Sequence, residues 1–172
     1  MKATRHEFGL SQADGTLTQK ARREWPRSFR KDGLCGIYAL FHGGELIRFG
    51  ETGTGLHRVK RGFTVSLETN AEKKNYYAYH FRKRYKGKTL VVRYYPQSSA
   101  QLEYQARRRG VEAELAYQFR HRSKNGLWPK EMTEIHFCNG LKPREKALVN
   151  DIMADIKKVS VGSRRRREGV RR

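Results

Sequence analysis

Two short apolar runs, 34–42 and 45–49, are separated by two adjacent glycines, and this pattern constrains the fold more than any other feature. A glycine pair between such runs is typical of a β-hairpin. If the loop has three residues, Tyr38 pairs with Arg48 and one face of the hairpin is wholly apolar. A two-residue loop would mix polar and apolar side chains on each face, which a half-buried sheet resists. The sequence therefore predicts an antiparallel hairpin with Tyr38 directly opposite Arg48.

The sequence outside the hairpin predicts further strands and several helices around the sheet. The clearest further strand is 88–95, and 133–138 also has strand character. Near-helical spacing of apolar residues predicts a long helix to about residue 122 and another from Pro143 to about 158. Shorter helices are expected near 17–24, 56–62 and 71–86. The expected fold class is α+β, a small antiparallel sheet flanked by helices.

The 172 residues are enough for one domain. Composition changes at both ends of the chain. We expect 1–33 to form a basic N-terminal arm, 34–159 to form the folded domain, and 160–172 to form a basic disordered tail.

Charge is the second strong feature. Lys and Arg number 38 against 17 Asp and Glu, which gives a formal net charge of +21. Such an excess destabilises a compact chain by self-repulsion, so we expect a polyanionic partner. Nucleic acid is the first candidate. An acidic membrane surface is the second, and a role in binding ribosomal or other structural RNA is the third. The sequence shows no membrane-spanning run and no signal-peptide core, so we expect a cytoplasmic protein with no membrane partner.

The hairpin itself carries groups with possible chemistry. A phenol is a poor base at neutral pH, and a neighbouring cation favours its ionised form. A phosphodiester needs positive charge where its oxygens gain negative charge during hydrolysis. Tyr38 beside Arg48 could supply both, although a surface stack of tyrosine on arginine would give the same pattern.

Four ordered features resemble the GIY-YIG nuclease family. Gly36-Ile37-Tyr38 is followed across the turn by Arg48-Phe49-Gly50, and Arg58 stands eight residues after Gly50. The long helix then carries VEAEL at 111–115, where Glu112 precedes an apolar pair by three and four residues. The resemblance spans roughly 34–125. One departure is that the second motif of the family usually begins with tyrosine, where this chain has Arg48; some restriction enzymes of the family also have a basic residue there.

The resemblance implies a role for each matching position. Tyr38 would be the general base that takes a proton from the attacking water, and Arg58 would hold the scissile phosphate. Glu112 or Glu114 would bind one divalent ion, Mg²⁺ or Mn²⁺, which stabilises the leaving oxygen. Arg48 would tune Tyr38 or grip phosphate. Arg58 could equally be one more phosphate-facing cation, and Glu112 could simply pair with Arg108 on a solvated helix face.

Further basic residues are candidates for DNA contact, because cations neutralise phosphates and interleaved aromatics can stack on bases. They are Lys60, Arg61, Lys73, Lys74, Arg82, Lys83 and Arg84. The aromatics between them could equally belong to the core. Asn125 and His136 are possible helpers at the site, although a turn asparagine and a structural histidine explain them as well.

We therefore expect a metal-dependent endonuclease that acts on double-stranded DNA, with a homodimer as a possible assembly. Its expected type is a sequence-specific restriction, phage or mobile-element nuclease. The alternative is a non-catalytic basic protein that binds DNA or RNA. An inactive relative with the fold but without the chemistry is also possible, and Arg48 is the only hint of it.

Overall fold

A computed structural model describes residues 3–25, 35–64, 82–97, 104–122 and 140–169. The expected strand at 133–138 and residues 71–81 of the expected basic helix lie outside these ranges. Within them, no helix has the length and apolarity needed to cross a membrane.

The core of the molecule is a four-stranded antiparallel sheet. Its strands are β1 (Thr4–Gly9), β2 (Cys35–His42), β3 (Glu45–Thr52) and β4 (Thr89–Gln97). They lie in the order β1-β4-β2-β3, so among the described strands β2 is central and β3 is at one edge. With the helices described next, this confirms the expected α+β class.

Helices cover both faces of the sheet. They are α1 (Gln19–Glu24), α2 (His57–Thr64), α3 (Arg82–Arg84), α4 (Gln105–Arg122) and α5 (Pro143–Gly169). Apolar residues of α1 and α2 pack with Tyr38 and Leu40 in one buried cluster. Those of α4 and α5 pack with Ile37 and Ala39 in a second cluster. We call these two sides of the sheet the α1–α2 face and the α4–α5 face.

The hairpin is present, but its register differs from the prediction. Gly43 and Gly44 form a two-residue turn in which both have positive φ, 57° and 81°, a conformation that glycine adopts without strain. Tyr38 is opposite Gly50, and Arg48 is opposite Leu40, so the predicted Tyr38–Arg48 pair is wrong. The physical reason is a bulge after Leu40, which inserts one extra residue into β3 and shifts the register beyond it.

The N-terminal segment is not an arm outside the domain. Residues 4–9 pair along their whole length with β4, and the following loop leads into α1. Phe8, Leu17 and Trp25 are each 2% exposed and belong to the cluster on the α1–α2 face. The expected short helix near 17–24 is confirmed, but the segment belongs to the folded domain because its few apolar residues complete that core.

The last helix begins at Pro143, as the sequence predicts, but it does not end near 158. Its first turn is closed by the Glu145 carboxylate, which accepts a 2.8 Å hydrogen bond from the Lys142 amide. Buried residues continue to Ile156, and the backbone remains helical to Gly169. The expectation of a disordered tail from residue 160 is therefore wrong for 160–169, whose backbone continues α5.

Candidate active site

Tyr38 and Gly50 form the centre of the candidate site. Tyr38 projects onto the α1–α2 face from the central strand and is 7% exposed. A Cβ added at Gly50 would overlap the Cζ and Oη atoms of Tyr38. The phenol therefore lies over the backbone of the edge strand, in a space that any side chain at residue 50 would fill.

Arg48 lies on the same face as Tyr38, although the two are not directly opposed. Arg48 pairs with Leu40, whereas Tyr38 pairs with Gly50, which is two residues further along β3. The Arg48 side chain is half-buried. Diagonal neighbours in an antiparallel pair are roughly 7–8 Å apart, which long side chains can span. The expectation of one shared face is confirmed, whereas the expected direct pairing is not.

A tight loop places helix α2 immediately after β3. The Thr52 hydroxyl donates a 2.8 Å hydrogen bond to the carbonyl of Gly55 and accepts a 3.2 Å bond from the amide of Thr54. Val59 and Phe63 then anchor the helix in the cluster that contains Tyr38. The backbone at position 58 thus lies on α2, close in sequence to the end of β3. Of the neighbouring cations, Arg61 is exposed and Lys60 is half-buried.

Helix α4 is attached to the same end of β3 by a buried ion pair. Arg108 Nε donates a 2.7 Å hydrogen bond to Glu51 Oε2, and the two side chains are 7% and 6% exposed. Gln105 Nε2 donates to the other Glu51 oxygen at 3.3 Å. Both carboxylate oxygens of Glu51 are therefore engaged, and we do not consider Glu51 a metal ligand.

The structure separates the two candidate metal-binding glutamates. Glu112 lies on the stripe of α4 that contains Arg108 and Phe119, at the spacing that aligns residues along one side of a helix. Arg108 contacts Glu51, and the Phe119 ring lies 6.3 Å from the Phe49 ring. Glu112 is therefore on the side of α4 that faces β3, between two contacts with that strand.

Glu114 points elsewhere. It is two residues further on, about 200° around the helix axis from Glu112. Its carboxylate accepts a 2.9 Å hydrogen bond from Gln118. On the same side of α4, Arg107 lies 3.7 Å from Glu145 of α5. This side faces α5 rather than β3, so Glu112 is the better candidate ligand.

Tyr38 and helix α4, the two parts of the candidate site, contact neighbouring residues of β3. The phenol of Tyr38 lies over Gly50 on the α1–α2 face, and α4 is anchored at Glu51 on the α4–α5 face. The two contacts lie on opposite faces of the sheet, at β3, which is the last strand in the order of the described sheet. The described contacts thus connect Tyr38 and the Glu112 stripe through two consecutive residues of one strand.

In the described parts of the chain, no three His, Cys, Asp or Glu side chains are grouped so that they could hold a metal ion. Glu112 is a single half-buried carboxylate, and Mg²⁺ commonly keeps several water ligands when it binds one or two carboxylates. An ion at this site would be held through the Glu112 carboxylate and water.

Among the candidate DNA-contacting residues, Arg82 departs from expectation. Its side chain is fully buried at 0% exposure, so it is not placed to reach a phosphate. Burial lowers the pKa of its guanidinium, and the charge of Asp14 opposes that shift. Lys83 and Arg84 are exposed, as a DNA contact requires. Lys73, Lys74, Asn125 and His136 lie outside the described residues.

The Glu51–Arg108 pair is the element of the site that the sequence interpretation missed. The available signal was a polar stripe on α4, formed by Gln105, Arg108 and Glu112, directly beside the apolar Val111 and Leu115. Polar groups next to a buried helix face need partners. A search for those partners could have led to the carboxylate at the end of β3.

Comparisons of the chain with models of protein families, with curated proteins and with solved structures found no match in any of the three.

Proposed function

We propose that the protein is a metal-dependent endonuclease of the GIY-YIG type, which hydrolyses phosphodiester bonds in duplex DNA. The observation that carries the proposal is the arrangement at two consecutive residues of β3. The Tyr38 phenol lies over Gly50, and the helix that bears Glu112 is anchored at Glu51. The candidate general base and the helix that bears the candidate metal ligand thus contact consecutive residues of one strand.

Each proposed role follows from the chemistry of the side chain. Tyr38 takes a proton from the attacking water, whose oxygen bonds to phosphorus as the bond to the 3′ oxygen breaks. Arg58 stabilises the charge that develops on the non-bridging oxygens, and Arg48 adds positive charge on the face of Tyr38. Glu112 holds one Mg²⁺ or Mn²⁺, which when bound stabilises the leaving oxygen. The products carry a 5′ phosphate and a 3′ hydroxyl.

Two further observations support this proposal. The strand with Gly36-Ile37-Tyr38 is central in the sheet and is hydrogen-bonded to the strand with Arg48-Phe49-Gly50. The net charge of +21 favours association with a polyanion, as a DNA-cleaving enzyme requires.

One observation favours a second candidate, a basic protein that binds DNA or RNA without cutting it. Tyr38 lies in an apolar cluster with Leu40 and Leu56, a place that a purely structural tyrosine also occupies. In that case the charge alone would bring the protein to nucleic acid, and removal of divalent ions would change nothing.

The two candidates differ in a cleavage assay on long duplex DNA of mixed sequence, which presents many possible targets at once. The pure protein is incubated with Mg²⁺ in one arm and with EDTA in the other. The nuclease proposal predicts fragments only with Mg²⁺, with ends that a DNA ligase rejoins. Binding without cleavage in both arms would support the second candidate.

A further inference from the structure

Helices α1 and α2 bring several cations together on the α1–α2 face of the sheet. The six residues of α1 include Lys20, Arg22 and Arg23 against a single carboxylate, Glu24. The eight residues of α2 include three cations and no carboxylate. This concentration of positive charge includes residues from the N-terminal segment, to which the proposed function assigns no role.

The two helices are fastened to each other and to the core. The Leu17 amide donates a 2.8 Å hydrogen bond to the carbonyl of Phe63, the penultimate residue of α2. Lys60 Nζ donates a 3.4 Å hydrogen bond to the carbonyl oxygen of Arg22. Ala21 and Trp25 are buried beneath α1. The backbone of α1 is therefore held next to that of α2.

The side chains divide into two groups by their contacts. Arg22 has a structural role, because its guanidinium donates hydrogen bonds to the Leu17 carbonyl at 3.1 Å and to the Thr16 hydroxyl at 3.3 Å. Lys20 is 81% exposed, and its 3.9 Å ion pair with Glu24 is of the solvent-exposed kind that contributes little. Arg23 and Arg61 are also exposed. These exposed cations remain accessible to an anionic partner.

We infer that Lys20, Arg23 and Arg61 form a surface that binds the sugar–phosphate backbone of duplex DNA beside the cleavage site. We call it the α1–α2 basic surface. The inference rests on the proposed function for its ligand, duplex DNA. The hydrogen bond from Lys60 to the Arg22 carbonyl joins α2 to α1, so the surface includes both helices.

A DNA backbone fits this surface better than an acidic membrane does. Peripheral membrane helices insert apolar side chains beside their cations. Here the large apolar residues of the two helices and their flanks, Trp25, Val59 and Phe63, are at most 2% exposed and face the core. Among the described side chains of 19–25 and 57–64, the exposed ones are charged or polar. Contacts of this kind position a duplex without reading its sequence.

The test compares two double variants that each remove two positive charges. Lys20→Gln with Arg23→Gln alters the α1–α2 basic surface. Lys157→Gln with Lys158→Gln alters exposed positions of α5, which packs on the opposite face of the sheet. Affinity for a short duplex is measured by fluorescence anisotropy in EDTA, so that no cleavage occurs, between about 50 and 200 mM salt. Thermal melting by circular dichroism confirms that both variants fold.

The α1 variant should bind about tenfold more weakly at moderate salt, and its plot of log affinity against log salt should lose about two units of slope. The α5 variant should change little in either. In the cleavage assay, the α1 variant should need more DNA to reach the wild-type rate but cut at the same sequence.

Equal losses in the two variants would overturn the inference, because net charge alone would then explain binding. The absence of duplex binding by the wild-type protein would also overturn it, as would a loss confined to duplex RNA or to phosphatidylserine vesicles. The proposed function fails separately, if the protein binds duplex DNA through this surface but never cuts it.

Discussion

The ring of Tyr38 on the central strand lies directly over Gly50 on the edge strand, in the space that a side chain at residue 50 would occupy. This contact explains in steric terms why a tyrosine on one strand is matched by a glycine on the next. The glycine is needed because the phenol covers it.

Replacement of Gly50 by alanine should therefore be costly. The new methyl group would overlap the phenol, so the ring or the strand must shift. We expect a loss of about 1–3 kcal/mol in the free energy of unfolding, the usual cost of overpacking, together with slower cleavage. Gly9→Ala is the matched control, because its Cβ would meet only Thr18 atoms at 3.6 Å and beyond. Urea unfolding that shows equal effects for both variants would contradict the steric account.

The Glu51–Arg108 ion pair should be essential to stability. Glu51→Gln leaves a buried guanidinium without its counter-charge, and breaking such a pair from one side costs about 3–5 kcal/mol. A double variant, Glu51→Leu with Arg108→Met, should lose less than the two single variants combined. Glu7→Gln, which breaks an exposed pair with Arg5, should cost less than about 1 kcal/mol. Additive losses in the double-mutant cycle would show that the pair is not coupled.

The two glutamates of α4 should differ sharply in metal binding. Glu112→Gln should remove cleavage at Mg²⁺ concentrations that saturate the wild type and should weaken Mn²⁺ binding to the protein–DNA complex, measured by electron paramagnetic resonance. Glu114→Gln should change neither, since that side chain lies on the side of α4 that faces α5. Loss of Mn²⁺ binding in the Glu114 variant alone would reverse the assignment.

Tyr95 should make the protein sensitive to alkali. Burial raises its pKa well above the ordinary value of about 10, and the Asp155 carboxylate, which accepts a 2.8 Å hydrogen bond from the phenol, adds to that shift. The folded state therefore holds this proton longer than the unfolded chain does. The associated stability is complete below pH ~10 and falls by about 1.4 kcal/mol per pH unit above it.

Urea unfolding of Tyr95→Phe between about pH 8 and 11 checks this expectation. The variant should be less stable at neutral pH, by about 1 kcal/mol, because Asp155 loses a hydrogen bond. Its stability should then decline less steeply than that of the wild type above about pH 10. Parallel pH profiles for the two proteins would show that Tyr95 does not control the alkaline loss.

Local patterns in the sequence predicted much of the fold. The glycine pair marked the hairpin, Pro143 marked the start of α5, and apolar spacing indicated the long helix α4. These features depend on residues close together in the chain, where backbone geometry and periodicity act directly.

The errors share a different physical cause, namely contacts between distant parts of the chain. Strand β1 shows little apolar pattern because it is an edge strand with exposed Arg5 and Glu7, and its pairing with β4 defines it. The bulge after Leu40 allows a two-residue turn while the apolar side chains still share a face of the hairpin. A regular alternation of apolar and polar residues does not predict such a bulge. Arg82 looked like one of a run of surface cations, but the fold buries it near Asp14.

The candidate site divides in the same way. The local motifs around Tyr38 and Gly50 could be identified from sequence, whereas the choice between Glu112 and Glu114 required the packing of α4 against β3. The polar stripe of α4 indicates that Arg108 needs a partner, but neither the identity of that partner, Glu51, nor the closeness of α1 to α2 has a local signature, since each joins residues more than thirty positions apart.

The most direct test of the proposed chemistry is the cleavage rate of Tyr38→Phe beside that of Tyr94→Phe. The two tyrosines are paired across β2 and β4, lie in the same buried cluster and are 7% and 5% exposed, so loss of either hydroxyl perturbs a similar environment. Both proteins are assayed with saturating mixed-sequence duplex DNA and Mg²⁺, after equal DNA binding and thermal stability have been verified. The account predicts that Tyr38→Phe loses at least about a hundredfold in rate, as expected for a missing general base, while Tyr94→Phe remains close to wild type. Cleavage by Tyr38→Phe at the wild-type rate would contradict it.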